Sequence, residues 1–311
     1  MKLKSTIASI LIAVSFAGCS GSNWQVFSGY AQGGTYSVKA DIRGASAGPG
    51  EIRSAIDSIL TVVDTTLSGY NKGSQLSRFN AGEEVEVSSM FRDILGMSEQ
   101  WLDRTEGALD VWSAPLFDIW GFGFRNGSFP DSAAVAATME KCREHRTLNF
   151  NAIAQGYTCD LIAGYLHSIG VKDMLVDIGE IYCEGVNPSG TGWSIGIDTP
   201  EDGNETPGAS LSGIWKSDGG SHGVVTSGNY RKFYIRDGKK YAHTIDPRTG
   251  YPVEHNLLSA TVVAPTAAEA DALATWFMVI GFDEAREKVQ ADPDIEACLI
   301  TSEGIWKSEG F

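Results

Sequence analysis

His243, the turn Asp246-Pro247-Arg248-Thr249-Gly250, and the pair Asp271 and Thr275 lie in one stretch, Tyr241 to Thr275, YAHTIDPRTGYPVEHNLLSATVVAPTAAEADALAT. An imidazole changes its charge near neutral pH and can take or give a proton. Pro247 and Gly250 make Asp-Pro-Arg-Thr-Gly a rigid turn, since proline presets φ and glycine tolerates positive φ. Asp271 and Thr275 stand four apart in a helical pattern, so their oxygens leave one face about a turn from each other. A carboxylate and a hydroxyl placed so could hold a hard cation such as Mg²⁺, whose remaining positions are filled by water or substrate phosphate. The same residues also fit a hydrogen-bonded loop histidine and a solvated helix face, and this stretch alone leaves both readings open.

The elements that must position these groups follow from periodicity. The apolar, β-branched run Leu257 to Val263 predicts a strand, and Pro265 and Thr266 open the helix that carries Asp271 and Thr275. Upstream, Trp24 to Ile42 reads as an opening strand. A helix follows from about Pro49, with Ile52, Ile56, Ile59, Leu60 and Val63 at helical spacing. Tyr70 to Asn80 reads as a polar loop or short helical turn, Phe91 to Thr105 as an amphipathic helix, and Phe129 to Cys142 as an alanine-rich helix. The aromatic, glycine-rich region around Trp112, Trp120 and Phe122 suits either a flat heterocycle or a core corner. Leu148 to Phe150 reads as a strand, and Ala152 to Gly156 as a turn entering a helix with Asp160. Met174 to Glu180 predicts a strand broken at Gly179, with Trp193 to Ile197 as its hairpin neighbour and Asp198 to Gly220 as a long excursion. Thr226-Ser227-Gly228 reads as a turn between strands, Lys239 to Thr244 as a strand, Phe282 to Gln290 as a helix, and the C-terminus as a closing hairpin. Many strands in hairpin order with a few long helices predict an α+β fold with antiparallel sheets flanked by helices, in one large domain.

Composition excludes several classes. With 24 basic and 39 acidic residues the net charge is −15, which argues against nucleic acid as a partner. A polyanionic small ligand then needs local help from a metal, backbone amides or a helix N-terminus. No P-loop, dinucleotide fingerprint or GxSxG elbow is present. Residues 1–18 read as a secretory signal: Lys2 and Lys4, an apolar run from Ile7 to Phe16, then Ala17-Gly18. Cys19 follows at once, and Ala-Gly-Cys resembles a bacterial lipobox in which the cysteine is lipidated, with 19–23 as the lipidated end and short tether and 24–311 as the folded domain. Phe16 stands where that motif has Leu, Val or Ile. Cys142, Cys159, Cys183 and Cys298 are scattered without CxxC, which argues against zinc.

Seven segments in order, SGYNKGSQLSRFN, ALDVWSAPLFDIWGFG, NFNAIAQGYTCD, VDIGE, VVTSGNY, AHTIDPRTG and APTAAEADALAT, resemble the ApbE family of FAD:protein FMN transferases. The resemblance covers essentially the whole mature chain. It implies an enzyme that binds FAD with Mg²⁺, moves FMN onto a threonine of a target redox protein through a phosphoester bond, and releases AMP. It places the metal at Asp271, Thr275 and the backbone near Ala154, and gives catalytic roles to His243 and to Asp160. It assigns flavin and phosphate contacts to Tyr70, Asn71, Ser74, Trp120, Gly156, Asp177, Gly179, Glu180, Thr226, Ser227, Gly228, His243 and Asp246. Gln155 replaces a common Lys, Glu180 a common Gly and Trp112 a common Thr. The implied partners are FAD, an acceptor protein (a membrane redox-pump subunit) and the membrane, held by an N-terminal lipid on the periplasmic side of a bacterial envelope. The same pocket also suits an FAD pyrophosphatase or a non-enzymatic FAD-binding envelope lipoprotein.

Overall fold

The computed structural model describes residues 23–124, 129–202, 204, 206, 208–230 and 233–311. The signal, Cys19 and most of the tether lie outside them. In chain order the strands are β1 (Trp24–Ala31), β2 (Gly34–Asp41), β3 (Met174–Asp177), β4 (Ile181–Glu184), β5 (Ser194–Asp198), β6 (Leu211–Lys216), β7 (His222–Gly228), β8 (Phe233–Arg236), β9 (Lys239–Ala242), β10 (Ile245–Asp246), β11 (Tyr251–Pro252), β12 (Leu257–Ala264), β13 (Glu296–Thr301) and β14 (Ile305–Lys307). The helices are α1 (Pro49–Leu67), α2 (Gln75–Asn80), α3 (Ser89–Arg104), α4 (Ala114–Ile119), α5 (Ser132–Cys142), α6 (Ala154–Ser168), α7 (Ala267–Ile280) and α8 (Phe282–Ala291).

Eight strands form one sheet, β1-β2-β3-β4-β7-β12-β13-β14, antiparallel at every pairing. Side chains alternate between its faces, as period two requires. Val38, Ala40, Met174 and Val176 face α1 and α6, meeting Ile52, Ile56, Ile162 and Leu166. Val225, Ala260, Val262 and Ala264 face α7 in the largest core. Leu175, Cys183, Val224, Val263 and Cys298 point the other way, where Trp193, Ile195, Ile197 and Trp215 of the β5–β6 hairpin cover them. The fold is α+β in a single domain.

Helix α7 is the centre of the packing. Eleven of its residues are buried, spread around the whole circumference, as expected for a helix enclosed on all sides. Thr266 is its N-cap and accepts from the Glu269 N–H. Helix α6 crosses it with almost no gap: a Cβ on Gly156 would lie 2.2 Å from the Ala267 carbonyl oxygen. On the other side, a Cβ on Gly223 of β7 would lie 2.3 Å from the Thr266 oxygen. Both positions therefore require glycine for backbone approach.

Several sequence expectations change. The opening strand is two strands, turning at Gln32 and Gly33 with φ of 52° and 84°, a turn with positive φ at both central residues that matches hairpin twist. Leu148 to Phe150 forms no strand, although Leu148 and Phe150 are buried. The Asn80 side chain accepts from Leu148 N and donates to Leu148 O, both at 2.8 Å, replacing a strand partner. The hairpin neighbour of β3 is β4, and β5 pairs instead with β6, which lies inside the supposed excursion. Thr226-Ser227-Gly228 is not a turn but the end of β7, in register with Thr261, Ala260 and Ser259 of β12.

The glycine crossing gives a first test. Gly156→Ala should cost about 1–3 kcal/mol by overpacking, read as a lower urea midpoint with an unchanged slope.

Candidate functional site

The site grows from the α6–α7 crossing. Asp271 sits one turn into α7 and is 4% exposed. Its Oδ2 accepts from the Gly156 N–H at 3.0 Å, which fixes the carboxylate against the first turn of α6. Burial pushes this carboxyl well above the usual carboxylate range, the Gly156 N–H draws it back, and the nearby Asp160 pushes it further up. Asp160 spends both oxygens on the first N–H groups of α7, from Ala267 and Ala268, each at 2.9 Å. Burial raises it to about 6, against the pull of those two N–H groups. Asp160 therefore holds the helix that holds Asp271.

Other expected residues collect at the same crossing. The fully buried Cys159 thiol is pushed up first by burial and then by the charges of Asp160, Glu180, Asp177 and Asp271. Its Sγ donates to the Glu180 carbonyl at 3.1 Å. Asp177 is raised by burial, and its Oδ1 accepts from Gly179 N at 3.1 Å, where Gly179 takes φ of 108°. Gln155 donates to the Ile178 carbonyl at 3.2 Å, tying the start of α6 to the Asp-Ile-Gly turn. The Ala154 carbonyl accepts from the Thr158 hydroxyl at 2.7 Å. From β7, the Ser227 hydroxyl lies 3.5 Å from that of Thr275, and Thr226 shares a hydrogen bond with Thr261 at 2.9 Å. Gly228 has Tyr230 packed over it, where a Cβ would lie 2.6 Å from the ring.

His243 follows β9, with Phe122 edge-on at 6.3 Å. The next residue, Thr244, donates to Asn229 Oδ1 at 2.6 Å within the interior. Asn229 follows Gly228, so this bond ties the histidine segment to the end of β7. Asn229 lies in the VVTSGNY segment but received no role from the sequence, since its partner is 15 residues away. Asp246 pairs with Arg248 through two side-chain contacts of 2.9 Å, and its carbonyl accepts from Gly250 N at 2.8 Å, closing the turn. Trp120 is buried behind that turn and donates to the Gly250 carbonyl at 2.9 Å, with its face against Tyr241. Its covered ring braces the turn. Tyr70 is 66% exposed and meets Phe124 edge-on at 5.2 Å. Asn71 donates to Asp64 and accepts from Gly73 N, and the buried Ser74 caps α2 and donates to the Ser68 carbonyl. These two residues build the loop that presents Tyr70.

The donor set fits a hard cation. Carboxylate, hydroxyl and backbone carbonyl are all oxygen, and no cationic side chain is among the groups that set the Asp271 charge. Among the described residues no three His, Cys, Asp or Glu side chains converge into a metal-binding cluster, so the candidate set has one carboxylate, with Thr275 and Ala154 supplying the other oxygens.

An antiparallel sheet backed by helices is the architecture that the comparisons identify. The model of the ApbE family matches residues 32–299, and the chain belongs to that family. FAD:protein FMN transferase of Haemophilus influenzae is 34% identical, over 92% of this chain and 89% of that protein. The protein of the same name from Escherichia coli K12 is 33% identical, over 84% and 81%. Among solved structures, the apo flavinyl transferase ApbE of Pseudomonas stutzeri superposes with a TM-score of 0.80 at 31% identity, covering 93% of this chain and 95% of that one. The flavin transferase ApbE of Vibrio cholerae gives 0.76 at 29%, covering 93% and 98%.

A raised carboxyl stabilises the fold while protonated. That contribution is complete below the ordinary value of 3.8 and is lost as pH rises through the folded value. In EDTA, Asp271→Asn should therefore melt at or above the wild type at pH 8, by on the order of 2 kcal/mol. The gap should close toward pH 4. Added Mg²⁺ should raise the melting temperature of the wild type and leave the variant unmoved.

Proposed function

We propose that the protein is an FAD:protein FMN transferase that attaches FMN through a phosphoester bond to a threonine of an acceptor protein and releases AMP. The observation that carries the reading is the buried Asp271 beside Asp160, two acids with no basic partner setting their charge, at the crossing of α6 and α7 in a chain of the ApbE family. Asp271, Thr275 and the Ala154 carbonyl would hold Mg²⁺. When bound, that ion supplies neutralisation of the pyrophosphate charge. Asp160 keeps α7 in place, and Gln155 and the Asp177–Gly179 turn shape the adjoining floor.

The reaction forms a bond from the acceptor oxygen to the FMN phosphorus and breaks the bond from that phosphorus to the bridging oxygen, which leaves with AMP. His243 takes the proton of the acceptor hydroxyl. Its position after β9 is fixed by the Thr244–Asn229 bond on one side and Phe122 on the other. Tyr70 offers an exposed ring to the flavin.

The sequence Ala17-Gly18-Cys19 after a short apolar run supports a lipid-anchored, periplasm-facing protein. The acceptor is then a membrane redox subunit exposed on the same side.

The test is AMP release from FAD by the full chain in detergent, with Mg²⁺ or EDTA, with and without threonine-bearing acceptor. Mg²⁺-dependent AMP with FMN on the acceptor is the expected result. Free FMN with an unlabelled acceptor would make the protein a pyrophosphatase, and retained FAD without AMP would make it a flavin carrier. His243→Ala should lower transfer by about 10²–10⁴-fold.

A further inference from the structure

We infer that the β8–β9 hairpin is the docking edge for an acidic, extended segment of the acceptor protein, and that it delivers this segment to His243. The inference rests on the transferase reading above.

Connectivity is the first ground. β9 ends at Ala242, and the next residue is His243. The hairpin forms a two-stranded sheet of its own, apart from the eight-stranded sheet. Among the described residues its strands pair only with each other. An added strand on such an edge makes main-chain hydrogen bonds whatever its sequence, and alternate side chains then set specificity. A strand laid along β9 reaches the histidine without further guidance.

Charge is the second ground. The chain carries 24 basic against 39 acidic residues, yet from Phe233 to Ala242 there are Arg236, Lys239 and Lys240 against Asp237 alone. Arg236 and Lys239 stand directly opposite each other. Like charges in a cross-strand pair are destabilising, so the hairpin's own stability does not account for them. Arg236 lies over the Phe129 ring at 4.9 Å and Lys240 over Phe233 at 3.9 Å, which holds these cations on the hairpin. Lys239 meets Glu254 and Lys240 meets Asp202, but every partner is well exposed. Such pairs are weak and readily exchanged for an incoming carboxylate. On a protein this acidic, most of the surface repels an acidic partner, so a local basic edge selects the approach.

Shape is the third ground. Tyr234 is 43% exposed and lies against the aromatic wall, stacked on Phe122 at 4.8 Å and donating to the Gly121 carbonyl. Ile235 is on the opposite face and is 69% exposed. It shares that face with Lys240, its cross-strand partner, and offers the incoming segment an apolar contact beside that cation, while Arg236 and Lys239 flank the edge on the other face.

The test uses the full chain with FAD, Mg²⁺ and a library of peptides that each carry one threonine, with flanks varied among Asp/Glu, Ser/Gly and Lys/Arg. FMN-labelled peptides are read by mass. The wild type should enrich acidic flanks, and salt that screens surface charge should erase the preference. The triple variant Arg236→Glu/Lys239→Glu/Lys240→Glu should bind FAD as the wild type does, lose about tenfold or more on acidic peptides, and gain on basic ones. Labelling without charge preference, an unlabelled library, or a variant with wild-type preference would overturn the docking edge. So would a variant that also loses FAD, which would place the hairpin in the flavin site. A wild type that releases no AMP from FAD under any condition fails the transferase reading itself, and the docking inference falls with it.

Discussion

The near contact of α6 with the start of α7 is the constraint on which the rest of the structure depends. Helix backbones rarely approach this closely. Here Gly156 removes the side chain that would keep them apart, as Gly223 does between β7 and α7, and Asp160 satisfies two N–H groups that the start of any helix leaves without intrahelical partners. Thr266 satisfies a third. The same contact brings the Gly156 N–H onto Asp271. One crossing thus fixes the helix, aims the carboxylate and sets the distance to the opening turn of α6.

That geometry also explains why an acidic protein can serve a phosphate-bearing ligand. Asp271 and Asp160 are buried near each other, and burial raises both. A buried carboxylate without a counter-charge is costly. A cation lowers that cost and at the same time offers a positive surface to phosphate oxygens. The chain needs no basic phosphate loop if the ion supplies the charge.

The sheet does the remaining positioning. β7 and β12 lie side by side under α7, and their register places Ser227 near Thr275. From the end of β7, Asn229 reaches Thr244 and thereby sets the loop with His243. Trp120, Tyr241 and Tyr251 pack behind the Asp246–Gly250 turn, so the histidine segment is held from both ends. The β8–β9 hairpin lies beside this region, with Tyr234 and Tyr241 against that region's aromatic side chains and most of the hairpin's residues exposed.

Much of this was legible in the sequence where the signal is local. The helix with Asp271 and Thr275, its Pro265-Thr266 start, the strand before it and the Asp246–Gly250 turn all follow from periodicity, capping and turn chemistry within a few residues. The α+β class and the family follow from strand order and from seven segments in sequence. Tertiary structure alone decided the rest, because the partners are far apart in the chain. Asp160 is a cap for a helix that begins 107 residues later. Leu148 to Phe150 has the composition of a strand, but Asn80 reaches its backbone across 68 residues and it pairs with no strand. Thr226-Ser227-Gly228 has turn composition and is strand, because β12 supplies its hydrogen bonds. Residue types fixed which groups could bind oxygen-rich ligands and move a proton. Only long-range backbone contacts, which leave no local pattern, determined which of those groups meet.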